Sequence, residues 1–424
     1  MNKPVFVISC PFDTYSGYGA RSRDLIQALI ELDKYNIKLL PQRWGSTSWG
    51  FCKDHPEWEH LLTLIIPKLE SKPDIWMQIT IPNEFQPVGH YNIGCTAGIE
   101  ADACKPEWVE GLNRMDINLT SSTFAKSTFE NMSFEKRSKS NNEVIGNIKL
   151  EKPIHVIFEG VNSDVYKPLK QSELKTFDFS SIKENFCFLF VGHWMRGEFG
   201  HDRKNVSLLV KLFYESFKNK KHKPALILKS STGVAGTMSR DEILDKIKNI
   251  RKSVDSKILP NIYVLNGEFD DSEMNELYNH PKVKTMVSLT KGEGFGRPLL
   301  EFTTTGKPVI ASGWSGHVDF LGKNSPLIPG KLEKVHPSAA NNWLIEDAKW
   351  FQPDAGYVMK IFRDYYKNPK EIDAKGRKQK YFTKQNYSWG AMKDLVNDVF
   401  SKNIPTNFVQ QVDLKLPDLN LPQL

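Results

Sequence analysis

The chain has 424 residues, which is too long for one ordinary domain and, at roughly 150 residues per domain, allows two or three. Hydrophobic residues make up 40% of it and charged residues 25%, so full apolar cores are available and global disorder is excluded. Lysine and arginine number 57 against 50 aspartate and glutamate, a net charge of +7. This mild excess fits a polyanion, an anionic small ligand or a membrane surface, and it selects none of them.

The cysteines indicate a reducing compartment. Cys10, Cys52, Cys95, Cys104 and Cys187 are scattered and form no C-x-x-C pair, which argues against a disulfide framework or a structural zinc site. The first apolar run is too short for a signal peptide, and no stretch approaches the roughly 20 apolar residues of a membrane span. We therefore expect a soluble protein located in the cytoplasm.

The first part of the chain alternates short apolar runs with helical patterns. A strand over residues 5–9 leads through a glycine-bearing loop, 13–21, to apolar residues at helical spacing over 25–32 and a second strand over 37–40. This order predicts a βαβ unit and hence a parallel sheet. Further strands are predicted over residues 74–80, 91–95, 117–120 and 155–158, with a helix from Ser122 and an exposed loop over 136–147.

The pattern changes near residue 165. The polar segment 166–183 lacks strand signals and is predicted to be a linker. Beyond it a second α/β series predicts strands over residues 186–191, 225–228, 262–265, 284–288 and 308–311, and helices over 206–217, 243–254, 272–278, 298–305 and 389–400. We therefore predict two Rossmann-like domains, residues 1–168 and 181–385.

A dehydrogenase is disfavoured by an incomplete dinucleotide fingerprint. Gly17 and Gly19 are followed by Ser22 at the third glycine position of G-x-G-x-x-G. The second predicted strand is also not closed by the acidic residue that would bind a ribose.

The most informative segment is LTKGEGFGRPLLE, residues 289–301. It predicts a strand end, a glycine-rich loop and a helix opened by Pro298 at its first position. The glycines let backbone amides approach a ligand closely, and the helix N-terminus favours negative charge. Glu293 lies in the loop and Glu301 in about the first helical turn. Because carboxylates cannot themselves bind phosphate, these two suit hydroxyl groups, as on a sugar and a ribose.

Glu293, seven intervening residues and Glu301 resemble the signature of the retaining GT-B glycosyltransferases of family four, also called glycosyl transferases group 1. The flanks GFGRPLLE and GKPVIAS, the latter over residues 306–312, resemble that family too. A structural helix cap with incidental acids is the alternative. The resemblance implies an α/β fold of the GT-B type, in which two Rossmann-like domains with parallel sheets face a central cleft. It also implies transfer of a sugar from a nucleotide diphosphate sugar, such as a UDP-sugar, with retained anomeric configuration.

Residues 191–205 resemble the first strand, loop and helix of the family's nucleotide domain, where a lysine and an arginine clamp the donor diphosphate. Lys204 matches that lysine, but His193 stands where the arginine usually does. Arg196 or Arg203 is then left for the arginine's role, since a guanidinium and an ammonium both suit a leaving diphosphate. Without these flanks, Arg203 and Lys204 are typical of a solvated helix start.

The resemblance assigns roles to the predicted site. Glu293 would hold the donor sugar, Glu301 the ribose and Lys204 the leaving diphosphate. Glu100 follows a strand end on the cleft side, where it would contact the acceptor or act as its base, and a structural role fits it equally. No acidic D-x-D closes a strand, so we expect neither a metal nor another cofactor to be required. The predicted catalytic residues are Glu293, Lys204 and Glu100, and the predicted donor-binding residues are Gly17, Gly19, His193, Arg196, Arg203, Lys204, Gly294, Phe295, Gly296, Arg297 and Glu301.

The first part of the chain resembles the family more loosely. Residues 16–20 resemble its glycine loop near the donor phosphate, and an ordinary tight turn is the alternative. Residues 154–162 resemble its domain-closing strand, and residues 387–389 resemble the segment that carries the last helix back onto the first domain. Core packing explains most of an aromatic-rich region over residues 44–58, and acceptor stacking fits one or two of its rings.

The acceptor is predicted by a weaker similarity. GYGAR, residues 17–21, and KGEGFGRP, residues 291–298, look similar to segments of glycosyltransferases of large tailed phages, some of which modify hydroxymethylated cytosine in DNA. A double-stranded DNA acceptor agrees with basic runs over 136–139 and 218–223, although solvated faces explain such runs as well. It requires a flipped base and implies the host cell cytoplasm. The rival acceptor is a lipid-linked or surface glycan.

A different class of function is a non-catalytic nucleotide- or DNA-binding α/β module. Retention of Glu293, Glu301 and Lys204 together argues against it. The sequence indicates neither the sugar nor the oligomeric state.

Overall fold

A computed structural model of the chain describes residues 3–138, 140 and 142–408. Two six-stranded parallel sheets dominate it, one in each half of the chain. The prediction of two successive α/β units built on parallel sheets is thereby confirmed.

The helices and strands are numbered here in chain order. The first half contains β1 (Val5–Cys10), α1 (Gly17–Leu32), β2 (Asn36–Pro41), α2 (Phe51–Asp54), β3 (Ile75–Ile79), β4 (Tyr91–Cys95), α3 (Pro106–Asn113), β5 (Ile117–Thr120), α4 (Thr123–Asn131), β6 (Ser133–Arg137), β7 (Val144–Lys149) and β8 (Ile154–Val156). The second half contains β9 (Cys187–Val191), α5 (Val206–Phe217), β10 (Ala225–Lys229), α6 (Thr237–Lys252), β11 (Ile262–Leu265), α7 (Asp271–Asn279), β12 (Val283–Ser288), α8 (Arg297–Thr303), β13 (Val309–Ser312), α9 (Val318–Leu321), β14 (Leu327–Ile328), β15 (Gly330–Lys334), β16 (Lys349–Pro353), α10 (Ala355–Lys367), α11 (Lys370–Asn386) and α12 (Trp389–Asn403).

The order of the strands locates the crevice of each sheet. The first sheet has the order β2-β1-β3-β4-β5-β8 and the second β11-β10-β9-β12-β13-β14. In each sheet the chain extends to one side of the first strand and then switches to the other, between β1 and β3 and between β9 and β12. Ligands of open α/β sheets bind beyond the carboxyl ends of the strands at such switch points.

Strand β1 shows why its sheet is covered on both faces. Phe6 and Ile8 pack in one apolar cluster with Leu25 of α1, whereas Val7 packs in another cluster with Trp108 of α3. Successive side chains of a strand point to opposite faces, so a strand that is apolar at every position is buried on both.

Helix α12 brings the end of the described chain back to the first half. Met392, Val396 and Phe400 lie in the same core cluster as Leu25 and Leu29 of α1. The last helix therefore completes the first core although it follows the second sheet in the sequence.

The prediction of an exposed loop over residues 136–147 is wrong in part, because β6 and β7 pair there as an antiparallel hairpin. Most of its side chains are exposed, and Phe134 and Ile148 pack against the core. A hairpin that packs only one pair of side chains against the core does not need the alternation of apolar and polar residues by which strands are recognised in a sequence.

A second hairpin ties the two halves together. Strands β15 and β16 pair antiparallel, and we call them with their connecting residues, 330–353, the arm. Trp350 of the arm shares a core cluster with Trp108 of the first half. The amide of Lys349 donates to Asp102 Oδ1 at 2.6 Å, and the amide of Asp102 donates to the Lys349 carbonyl at 2.8 Å. The arm follows the second sheet in the sequence, but its side chains and backbone contact the first half of the chain as well.

All five cysteines are buried and free, and burial raises the pKa of the Cys10 thiol to about 12.

Within the part of the chain that the structure describes, no helix is both long enough and apolar enough to cross a membrane.

Candidate active site

The loops at the carboxyl ends of the two sheets touch each other. A Cβ atom placed on Gly292 would lie 2.0 Å from the Glu100 carbonyl oxygen, and one on Gly294 would lie 2.5 Å from the Ala97 carbonyl oxygen. The hydroxyl of Ser121 donates to the Gly294 carbonyl at 3.3 Å. Glycine is needed at both positions because any larger residue would hold the two loops apart.

Glu293 is the centre of a buried group of charges. Its Oε1 accepts a hydrogen bond from Lys204 Nζ at 2.5 Å, and its Oε2 lies 3.5 Å from Nη1 of Arg203. Burial alone would raise the pKa of this carboxyl, but the two cations outweigh burial and hold it at about 2. Glu293 is therefore a carboxylate at every physiological pH. Two of the three predicted catalytic residues, Glu293 and Lys204, lie in direct contact.

Arg203 links Glu293 to the third predicted catalytic residue. Its Nη2 lies 3.4 Å from Oε1 of Glu100, and its Nη1 donates to the Gly292 carbonyl at 2.8 Å. Desolvation lowers the pKa of Arg203, but the charges of Glu100 and Glu293 raise it by more, so the pKa lies above its ordinary value. The series Glu100, Arg203, Glu293, Lys204 thus runs across the cleft from the first half to the second.

A second ion-pair group surrounds Arg297, at the first position of α8. Its Nε donates to Glu301 Oε1 at 2.9 Å, and its Nη1 contacts the carboxylate of Asp24 on α1. The Tyr278 hydroxyl lies 3.4 Å from Glu301 Oε2. Burial raises the pKa of Glu301 to about 8 despite Arg297, and the nearby acids Asp271 and Glu159 add to that rise. Glu301 is therefore largely protonated at neutral pH, so its carboxyl can donate a hydrogen bond as well as accept one.

His193, predicted to bind the donor, does not carry a fixed positive charge. It follows β9, is exposed, and its Nδ1 lies 2.8 Å from Ser231 Oγ. Desolvation by its surroundings and the charges of Lys204 and Lys229 lower the pKa of the imidazole, so it is neutral at pH 7. Lys229, the last residue of β10, is thus a cation of this site that was not predicted. Its position at a carboxyl strand end is the sequence signal that would have found it.

The two arginines considered for the diphosphate-binding role, Arg196 and Arg203, both form their hydrogen bonds with residues other than His193. Arg203 is bound to Glu100 and Glu293, as described above. Arg196 is exposed, and its Nε lies 3.4 Å from the Ser338 carbonyl of the arm. Lys204 and Lys229 are the cations whose charge reaches His193 most strongly.

The glycine loop before α1 is held by its own hydrogen bonds. Ser16 caps the helix, and its Oγ accepts from the Gly19 amide at 2.9 Å. A Cβ on Gly19 would lie 2.3 Å from the Thr14 carbonyl oxygen, whereas one on Gly17 would meet nothing within 4 Å. The requirement for glycine at position 19 is therefore local packing, and the Gly19 amide is already satisfied. The donor-binding role predicted for both glycines remains a prediction.

Some residues around Gly296 pack in the hydrophobic core, and others line the candidate site. Phe295 is buried, and its ring centroid lies 5.0 Å from that of Phe320, so only its backbone can face a ligand. Gly296 has a φ of 98°, in the left-handed region that favours glycine. His317, also not predicted, is fully buried behind Glu293, with Nε2 2.7 Å from the Ser312 carbonyl and no partner for Nδ1 among the described residues.

A cavity of about 460 Å³ opens between the two halves beside this charge series, with Glu100 and Arg203 in its wall. A larger one, of about 1170 Å³, lies at the amino ends of the first sheet's strands and contains none of the predicted site residues. The smaller cavity is the one relevant to chemistry, because it lies at the carboxyl ends of both sheets. In the described ranges, no group of three or more His, Cys, Asp or Glu side chains is arranged to hold a metal ion.

The two sheets, meeting at their carboxyl ends around one cleft, define the chain's class as a GT-B fold, as predicted. Solved structures of this class match it over nearly its full length. Sucrose-phosphate synthase from Thermosynechococcus elongatus is similar with a TM-score of 0.62 at 13% identity, over 95% of this chain and 99% of that one. A glycosyltransferase from Rickettsia africae gives 0.63 at 14% identity, over 96% and 100%.

HepE from Anabaena, in a complex with UDP and glucose, gives a TM-score of 0.55 at 12% identity over 94% of this chain and 100% of that one. No family model matches the chain, and no curated protein matches it. At such low identity the likeness establishes the fold, and the function has to be argued from the chemistry of the site.

Proposed function

We propose that this protein is a retaining, metal-independent glycosyltransferase that transfers a hexosyl or pentosyl group from a nucleotide diphosphate sugar to a hydroxyl group. The observation that carries the proposal is the contact in the cleft between the buried Glu293 and Lys204, whose side chain is 18% exposed. A largely buried ion pair in a cleft between two α/β domains supports a functional role more than a structural one. HepE from Anabaena, which shares the fold, binds UDP and UDP-glucose, and this supports a UDP-sugar as the donor.

The donor diphosphate would lie beside the cations of the second half. Lys204 and Lys229 would compensate the charge that develops on the leaving diphosphate, and the backbone of residues 294–296 would add oriented amides. Binding the diphosphate gives Lys204 a second anion besides Glu293. The positive charge needed for departure of the diphosphate is thus supplied by side chains.

The sugar and the ribose would meet the two glutamates. Glu293, fixed as a carboxylate, accepts hydrogen bonds from donor sugar hydroxyls. Glu301, largely protonated at neutral pH, exchanges hydrogen bonds with the ribose. Glu100 faces the same cleft from the first half and would accept the proton of the attacking hydroxyl. The hydroxyl oxygen bonds to the anomeric carbon on the face from which the diphosphate departs, which retains the configuration. The bond from that carbon to the diphosphate oxygen breaks at the same time, and the electron pair of that bond leaves with the nucleotide.

For the acceptor we propose 5-hydroxymethylcytosine in DNA, on the sequence similarity to phage enzymes. The basic run over residues 218–223 follows α5, is exposed or half-exposed, and supports this acceptor through phosphate contacts. In the other run, residues 136–138 are exposed or half-exposed and Lys139 lies outside the described residues. Steep salt dependence of binding to hydroxymethylated duplex DNA would support a DNA acceptor, and absence of binding at low salt would favour a glycan.

The proposed activity is tested by incubating the protein with UDP-glucose and other UDP-sugars, with and without hydroxymethylated DNA, and measuring free UDP. We expect UDP release that increases with a competent acceptor, is unchanged by a chelator, and yields a product with the donor's anomeric configuration. Binding of UDP without turnover on any acceptor would instead indicate a non-catalytic nucleotide-binding module.

A further inference from the structure

The cavity of about 460 Å³ between the two halves has walls from three separate parts of the chain. Trp44 and Glu100 belong to loops of the first half, Arg203 to the loop before α5, and Trp343 to the arm. At its inner end the Glu100 carboxylate contacts Arg203, which also contacts Glu293. A molecule in this cavity would therefore lie next to the proposed donor sugar without occupying the donor site itself.

The walls carry an unusual number of aromatic rings. Trp44 stacks on Tyr18, with ring centroids 3.9 Å apart and planes inclined by 22°. Trp343 of the arm keeps 42% of its surface exposed. The indole N–H of Trp108 is buried in the wall without an acceptor among the described residues. Exposed indoles suit a flat ring, and an unused N–H donor suits a polar substituent on it.

The rim of the cavity is positively charged. Arg43, on the first half, has no hydrogen bond or ion pair within the described ranges, and Arg196, on the second half, has one long bond to a backbone carbonyl. Both side chains are exposed. Of the two acids in the wall, Glu84 bonds to Thr80 and Glu100 is paired with Arg203. Two arginines without carboxylate partners, one from each half, suit an anionic group such as a phosphate.

We propose that this cavity binds the acceptor, and that the acceptor unit is a single ring that carries a phosphate group. The ring stacks on Trp44, the phosphate is bound between Arg43 and Arg196, and the hydroxyl that attacks the donor points to Glu100. This proposal rests on the proposed function. The same chemistry has two sources, a free sugar phosphate and a nucleotide unit of a DNA strand.

The proposal is tested by isothermal titration of the intact protein, saturated with UDP, using two pairs of probes. Glucose 6-phosphate is compared with glucose, and 5-hydroxymethyl-2′-deoxycytidine 5′-monophosphate with its nucleoside. We expect one phosphorylated probe to bind at least about tenfold more tightly than its neutral partner, the difference of one charge-assisted contact. The pair that shows this preference identifies the source of the acceptor.

Substitutions test the positions of the contacts. Arg43→Ala and Arg196→Ala should each abolish the preference for the phosphorylated probe, and Trp44→Ala should weaken both members of the pair by about tenfold. The matched controls are Arg377→Ala, exposed on α11, and Trp49→Ala, which is exposed outside the cavity wall. Both controls should bind the probes as the unchanged protein does. Melting temperatures show whether each variant remains folded.

Equal affinity for phosphorylated and neutral probes would overturn the inference, as would failure of all four probes to bind while UDP still binds. An unchanged phosphate preference in both arginine variants would overturn it too. If UDP itself does not bind, the proposed function fails, and this result is distinct from the others because it is measured before any acceptor probe is added.

Discussion

Lys204 Nζ lies 2.5 Å from Glu293 Oε1, and the two side chains are contributed by loops that follow different strands of the second sheet. These strands, β9 and β12, are neighbours at the switch point, so the contact is created by the strand order. Each side chain is 18% or less exposed. The pair therefore lies where the two central strands of the second sheet meet the cleft, and substitution of either residue tests the proposed chemistry directly.

Removal of either partner of this pair should abolish most of the activity. Lys204→Ala and Glu293→Ala should each reduce sugar transfer by at least about 100-fold, the usual effect of losing one group that stabilises a transition-state charge. The measurement is UDP release under saturating donor. Lys211→Ala, whose lysine pairs with Glu215 on the surface of α5, is the matched control and should retain full activity. Near-normal turnover in both site variants would refute the assignment.

The same pair should contribute measurably to stability. Lys204→Ala leaves a buried carboxylate without its main partner and should cost about 3 kcal/mol in the free energy of unfolding. The double variant Lys204→Ala with Glu293→Ala should lose less than the sum of the single losses, because it leaves no unpaired charge. Urea denaturation of the four proteins measures this. Additive losses would show that the two groups do not interact.

The carboxyl of Glu301 should make the protein less stable as the pH rises. Its pKa is raised to about 8 in the folded chain, above the ordinary value of 4.5, so the folded state holds its proton more tightly than the unfolded state does. Stability from this group is fully present below pH 4.5 and is lost as the pH rises toward 8. Glu301→Gln, which cannot ionise, should remove at least about 1 kcal/mol of the difference in unfolding free energy between pH 5 and pH 8.

The control for this pH dependence is Glu293→Gln. Its carboxyl has a pKa of about 2, so its contribution is present above pH 4.5 and is lost only as the pH falls toward 2. Glu293→Gln should therefore leave the slope between pH 5 and pH 8 unchanged. Identical slopes for the unchanged protein and Glu301→Gln would contradict the raised pKa.

Arg297 should hold the two halves together as well as orient Glu301. Arg297→Met leaves the buried Asp24 carboxylate without its cation and the Glu301 carboxyl without its hydrogen-bond donor, and we expect a loss of about 3 kcal/mol in stability and a raised KM for the donor. Arg297→Lys should rescue little, because one ammonium cannot replace two nitrogens that point to different carboxyl groups. Chemical denaturation and donor kinetics measure the two effects. Full rescue by lysine would show that charge alone matters.

The close approach of the loops at Gly292 should be essential for the closed cleft. Gly292→Ala places a methyl group 2.0 Å from the Glu100 carbonyl oxygen, so the loops must separate and transfer should fall by at least about tenfold. Gly390→Ala, in the first turn of α12, meets nothing within 4 Å and is the control. Small-angle scattering should show a larger radius of gyration for Gly292→Ala alone. Normal activity in that variant would show that the contact is dispensable.

Local patterns were sufficient to predict most of the two sheets. The predicted strand runs 186–191 and 225–228 lie within one residue of the bounds of β9 and β10, because these interior strands are apolar and buried almost throughout and are short enough to stand out. The arm is absent from the predicted elements. Its strand β15 is mostly exposed, and its apolar residues pack on a domain far away in the sequence, so no local period marks it.

For the site, local sequence patterns were enough to locate the segment that holds Glu293 and Glu301 and the lysine at position 204, because the residue types and spacing lie within short stretches of chain. The contacts of these groups depend on the folded arrangement of the whole chain. Strand order brings Lys204 to Glu293, and the arrangement of the two halves brings Arg203 to Glu100 and Arg297 to Asp24. Such contacts, and the pKa shifts that burial imposes on them, depend on distances between residues remote in sequence, which no local pattern encodes.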